Sequence, residues 1–283
     1  MNNPFDFSGK VVLVTGGTKG VGRGIAARYT AAGATVVVCG RRAPEAPPAS
    51  PAGAGGDPDD GGTDRRDGGT DGPTDGGAPA PVFIACDVRE PEQVTALVEA
   101  VVERFGRLDT VVNNAGGAPW ADSATASPRF NERVIALNLL APLTVAQAAN
   151  QVMQGQQDGG SVVNIASVSG VRPSPGTAAY GAAKAGLLNL TRTLAVEWAP
   201  RVRVNAVVPG LIATEQAHLF YGDEAAQGRV AATVPLQRLG TPDDVAGACL
   251  FLSSPAAAYV SGATLEVHGG NEWPSYLSAV TRG

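Results

Sequence analysis

Lys10-Val11-Val12-Leu13-Val14-Thr15-Gly16-Gly17-Thr18-Lys19-Gly20-Val21-Gly22 is the stretch whose reading decides the fold. Its first half is an unbroken run of β-branched and apolar residues, with no polar alternation, as expected of a strand buried on both faces. The glycines then break the strand and open into a second periodic segment, Val21 to Ala32, which reads as a helix closed by Gly33. Thr35 to Cys39 (TVVVC) is a second strand, so the chain begins as a βαβ unit.

Farther along the chain the same alternation returns. Strands are expected at Val82 to Ala85, Thr110 to Asn113, Ser161 to Ala166, Val202 to Val207 and Thr264 to Val267. Helices are expected at Glu92 to Phe105, Asn131 to Met153, Thr177 to Trp198 and Asp243 to Leu252. Strand and helix in alternation give an α/β fold: one doubly wound parallel sheet of about seven strands with helices on both faces. Its ligands belong beyond the carboxyl ends of the strands. A length of 283 residues fits one such domain plus an insertion better than two domains.

The insertion is visible by composition. Ala43 to Pro81 contains no Val, Ile, Leu, Met or aromatic residue, so it has nothing with which to build a core. It carries eight acidic residues and two arginines, a net −6 that leaves +1 for everything else in a chain of net charge −5. The near-repeat DGGTDRRDGGTD lacks the ligand spacing of calcium loops, and a solvated, mobile loop with weak order across residues 50 to 76 is the expectation.

An acidic chain without a basic face is unsuited to nucleic acid. No segment reaches the roughly 18 apolar residues of a membrane span, and Met1 to Lys10 has no leader pattern, so a cytoplasmic protein is expected. Cys39, Cys86 and Cys249 lack any paired metal spacing and read as buried thiols, so no metal is expected.

The turn from Gly16 to Gly22 has a physical reading of its own. Glycines let the chain turn tightly and bring backbone N–H groups against a pyrophosphate, whose charge a helix N-terminus favours. Gly16, Thr18, Lys19, Gly20, Val21 and Gly22 are therefore candidate cofactor contacts. The spacing is GxxxGxG, and with Asn113-Asn114-Ala115-Gly116 after the fourth strand the chain resembles a short-chain dehydrogenase/reductase of Rossmann-like fold. That resemblance implies that Asn114, Ala115 and Gly116 line the cofactor site. It also implies a nicotinamide contact from Pro209, Gly210, Ile212 and Thr214, and an adenine contact from Asp87 and Val88.

Which cofactor is expected depends on the end of the second strand, where an NAD enzyme places an acid for the ribose 2′-hydroxyl. Here Gly40 stands there, followed by Arg41 and Arg42, and Lys19 lies in the phosphate turn. Cations from two segments suit a 2′-phosphate, which points to NADP(H).

Tyr180 and Lys184 lie four apart on a predicted helix, hence on one face, and Ser167 precedes Tyr180 by thirteen residues, the separation of the resembled family. A ketone receiving hydride becomes an alkoxide and needs a proton donor. A phenol near pKa ~10 fits if a nearby ammonium and a positive nicotinamide lower that value. Tyr180 is thus the candidate acid and base, Lys184 tunes it and holds the ribose, and Ser167 donates to the substrate oxygen. The resemblance adds Asn138, holding a water that links Lys184 to solvent; a helix-bending core amide is the other reading of that residue.

Serine hydrolysis is set aside, since no GxSxG elbow is present and the only histidines are His218 and His268. The resemblance makes residues 211 to 233 a substrate lid, and Ala118, Trp120, Ser169, Pro173, His218, Phe220 and Tyr221 candidate pocket residues. Their apolar character suggests a hydrophobic ketone, with 3-oxoacyl thioesters and steroid-like or xenobiotic carbonyl compounds both open, and reduction the favoured direction. Trp273, Tyr276 and Leu277 in the tail, together with the helices after strands four and five, suggest a homo-oligomer, a tetramer first. An NADPH-binding sensor without turnover is the alternative function.

Overall fold

A computed structural model describes residues 3–43 and 80–272. The expectations for residues 50 to 76 and for Trp273, Tyr276 and Leu277 lie outside the described residues.

Seven strands form one sheet in the order β3-β2-β1-β4-β5-β6-β7, and every pair is parallel. They are β1 Val11–Thr15, β2 Thr35–Gly40, β3 Val82–Ala85, β4 Thr110–Asn113, β5 Gly160–Ile165, β6 Val202–Pro209 and β7 Thr264–Val267. The continuous apolar run of β1 is explained by its two faces. Val11 and Leu13 pack with helices α2 (Pro91–Phe105), α4 (Ala141–Gly155) and α5 (Ala178–Glu197), whereas Val12 and Val14 pack with α1 (Gly20–Ala31) and α8 (Pro242–Ser253). The chain reverses its winding between the adjacent strands β1 and β4, which opens a crevice at their carboxyl ends.

The helix expected at Asn131 to Met153 is longer and interrupted. α3 (Pro128–Ile135) starts earlier because Ser127 caps the Phe130 N–H and Pro128 suits the first turn. A π-helical turn at Ala136–Leu140 then leads into α4, whose Pro142 has no N–H to give the Asn138 carbonyl. Two short helices, α6 (His218–Tyr221) and α7 (Glu224–Ala231), complete the count in the 211–233 segment, where the sequence signalled none.

Candidate active site

The phosphate turn is built by close packing of backbone on backbone. A Cβ on Gly22 would lie 2.3 Å from the Gly16 carbonyl oxygen and 2.4 Å from Asn114 Nδ2, so this crossing of helix and strand excludes any side chain. Asn114 fastens the end of β4 to the turn: Nδ2 donates to the Thr15 carbonyl at 2.9 Å and to the Gly16 carbonyl at 3.2 Å. Thr15 Oγ1 in turn accepts from the N–H groups of Asn114 and Ala115, each at 3.0 Å. Thr18 and Val21 are half-buried beside this crossing, and Lys19, the residue before α1, is exposed.

Where the sequence places an adenosine, Gly40 closes β2, and Arg41 and Arg42 extend into solvent. Asp87 follows β3, with Val88 buried behind it. Arg89 grips both Asp87 carboxylate oxygens, at 2.9 and 2.5 Å, and with Arg41 nearby it holds the carboxyl below its usual range. On the other side Pro209 ends β6, the Gly210 N–H donates to the Val267 carbonyl at 3.0 Å, and Ile212 is buried in a bridge with Gly240. Thr214 lies against Gly20, 3.7 Å from where a Cβ would stand.

Beyond β5 the candidate catalytic side chains converge. Ser167 leads the short turn Val168–Gly170, and α5 packs so tightly on that turn that a Cβ on Gly170 would meet the Lys184 and Ala185 backbone at 2.8 Å. Lys184 is buried, donates to the Ile165 carbonyl at 2.7 Å, and holds Nζ 5.6 Å from the Tyr180 ring centre. Among the described residues it has no carboxylate partner, and burial pushes its pKa down to about 8.

Tyr180 lies beside Ser167. Burial raises the phenol, the Ser167 hydroxyl beside it works in the opposite direction, and Tyr221 raises it further. Lys184 Nζ stands 5.6 Å from the Tyr180 ring centre while it donates to the Ile165 carbonyl.

Asn138 sits in the π-helical turn, fully buried. Its Oδ1 accepts from the Gly117 N–H at 2.8 Å, and Nδ2 donates to the carbonyls of Gly117 and Val134 at 3.0 and 2.9 Å. The side chain is therefore held by protein groups on both of its polar atoms. Gly116 lies between it and Lys184, since a Cβ there would stand 2.7 Å from Asn138 Oδ1 and 3.3 Å from Lys184 Nζ.

The candidate pocket residues divide. Trp120 is 74% exposed and lies over Gly176, and Phe220 and His218 are exposed. Ser169 is engaged by Ser174 Oγ at 3.0 Å, whereas Tyr221 is half-buried and raises the pKa of Tyr180. Half-buried Ala118 and exposed Pro173 stand on the loops that carry Trp120 and Ser174. Sequence reasoning passed over Glu215, which donates nothing but accepts from the Gly20 N–H at 2.8 Å; its only signal was an acid directly after Thr214.

A parallel sheet with a glycine turn at its switch point and, beyond β5, half-buried Ser167 and Tyr180 beside buried Lys184 is the frame of an oxidoreductase that uses a nicotinamide cofactor. The family model described as enoyl-(acyl carrier protein) reductase matches residues 72–272, and the short chain dehydrogenase model matches residues 10–50. An uncharacterized oxidoreductase of Mycobacterium tuberculosis is 35% identical over 271 residues, covering 96% of this chain and 95% of that one. D-threitol dehydrogenase of Mycolicibacterium smegmatis is 35% identical, covering 94% of this chain and 95% of its own. Among solved structures, ligand-free aldohexose dehydrogenase of Thermoplasma acidophilum superposes with a TM-score of 0.77 at 28% identity, covering 98% and 97% of the two chains. The chain belongs to the short-chain dehydrogenase/reductase family of oxidoreductases. Among the described residues no helix is long and apolar enough to cross a membrane.

Proposed function

We propose that this chain interconverts a ketone and a secondary alcohol with NADP(H). The observation that carries the reading is the convergence of Ser167, Tyr180 and buried Lys184 at the carboxyl end of β5, beside the phosphate turn. The cofactor, when bound, supplies or accepts the hydride. The Tyr180 phenol gives a proton to the developing alkoxide in reduction and takes it back in oxidation. Ser167 donates to the substrate oxygen as charge builds there, and Lys184 keeps two donors free for the ribose hydroxyls after its bond to Ile165. Asn138 fixes the Gly116–Gly117 wall against Lys184.

The turn already holds an anion, the Glu215 carboxylate, so its chemistry fits a pyrophosphate. Preference for NADP(H) rests on Gly40 in place of an acid, followed by exposed Arg41 and Arg42, with exposed Lys19 in the turn. The related enzymes named above act on an aldohexose and on D-threitol, both polyhydroxylated. The mouth of this site, in contrast, carries exposed Trp120, Val171, Leu219 and Phe220, which favours a hydrophobic carbonyl compound. We read residues 211–233 as a lid on a single-domain, cytoplasmic enzyme. Exposed Leu140 and Val196, on helices after β4 and β5, support a homo-oligomer, a tetramer by expectation.

The test is NADPH consumption against hydrophobic ketones, aldoses and tetritol-derived ketoses, repeated with NADH and with Tyr180→Phe. Turnover of hydrophobic ketones that prefers NADPH and disappears in the Phe variant is expected. Binding of NADPH without turnover of any carbonyl compound would instead favour a sensor.

A further inference from the structure

The segment after Thr214 places a carboxylate at the helix end where the cofactor's phosphates are expected. Glu215 Oε1 accepts from the Gly20 N–H at 2.8 Å, and Arg23 lies 3.8 Å from Oε2. Gly20 opens α1 with φ of 54°, and neither the Lys19 side chain nor any acid in the first turn caps this helix. The free N–H is therefore satisfied by a residue 195 positions away. Burial opposes the charge, yet the Gly20 N–H, the backbone of Glu215 itself, Arg23 and Lys19 together hold this carboxyl below its usual range. The same segment comes near the candidate phenol, since Tyr221, whose own pKa burial raises, in turn raises that of Tyr180.

We propose that Glu215 competes with the cofactor's pyrophosphate for the N-terminus of α1, and so sets the affinity for the dinucleotide. The helix end offers about half a positive charge, enough to favour one anion and to penalise two side by side. Binding then requires the carboxylate to leave Gly20, which loosens the attachment of residues 214–221 to the phosphate turn. The inference rests on the nicotinamide cofactor of the family, and on neither NADP(H) nor the substrate class proposed above.

The full chain, with Glu215→Gln and Glu215→Ala, is titrated with NADPH and separately with NADH, following nucleotide fluorescence. Both variants are expected to bind both nucleotides about tenfold more tightly, the size of one partly exposed charge-assisted hydrogen bond. A damaged fold cannot produce that gain. Unchanged or weaker affinity in both variants overturns the proposal. A wild-type preference for NADH would overturn the NADP(H) reading alone, because the Glu215 effect acts on the pyrophosphate that the two nucleotides share.

Discussion

Lys184 is the residue whose environment has the largest consequence. In the folded chain its pKa lies at about 8 against 10.5 in the open chain, because burial removes water from the ammonium. Between those values the unfolded state holds a proton that the folded state has released, so stability attributable to Lys184 rises with pH across that window and is penalised below it. The shift corresponds to about 3 kcal/mol at most. Denaturant unfolding of the wild type and Lys184→Met at pH 7, 8, 9 and 10 is expected to show the difference moving in favour of the wild type as pH rises; a flat difference would mean that the ammonium is better solvated than its burial implies. Arg41 and Arg42 supply a second test, since both are exposed beside a strand end that carries no acid. Arg41→Ala with Arg42→Ala should raise KM for NADPH by roughly tenfold to a hundredfold, as expected for one or two lost charge-assisted bonds, and leave KM for NADH nearly unchanged.

Elements were legible where a period or a cap wrote them into the chain. β3, β4 and β7 fall at the bounds expected from apolar runs, and the buried face of each strand follows from its neighbours in the sheet. The π-helical turn at Ala136–Leu140 was not legible, because it results from Pro142 withholding a donor rather than from any periodic pattern. α6 and α7 were missed for another reason: they are four and eight residues long and bury none of their residues, so no apolar stripe marks them. α8 shows what a clear signal is worth. Thr241 accepts from the Asp244 N–H at 3.2 Å while Asp244 accepts from the Thr241 N–H at 2.7 Å, closing a capping box at the start of a helix that packs on α1. Thr241→Ala should cost about 1 kcal/mol of stability, read as a lowered midpoint in urea with an unchanged slope.

At the scale of the whole molecule, the candidate site is made by the meeting of segments far apart in sequence. The phosphate turn after β1, Asn114 after β4, Ser167 after β5 and Thr214 after β6 lie together only because the parallel sheet brings the carboxyl ends of its strands to one edge. Motif spacing revealed each segment, whereas the hydrogen bond of Glu215 with Gly20 joins segments no sequence pattern links. The insertion is the remaining question at this scale. Val82 pairs with Val37, so the chain leaving β2 must return to the opposite end of the strand pair, a parallel crossover that needs about a dozen residues. Nearly forty residues separate Ala43 from Pro81, with no large apolar side chain among them, and the two family models match on either side of residues 51–71. By composition such a segment is expected to add loop-closure cost. Replacing it with a Gly/Ser linker of about twelve residues shortens the loop between one and two halvings, worth about 1 kcal/mol in favour of the folded chain. For a domain of this size that is a rise in Tm of about 2 to 4 °C, with the affinity for NADPH unchanged. A fall of several degrees would show that the segment covers part of the sheet, and weakened NADPH binding at unchanged Tm would show that it forms a wall of the adenosine site.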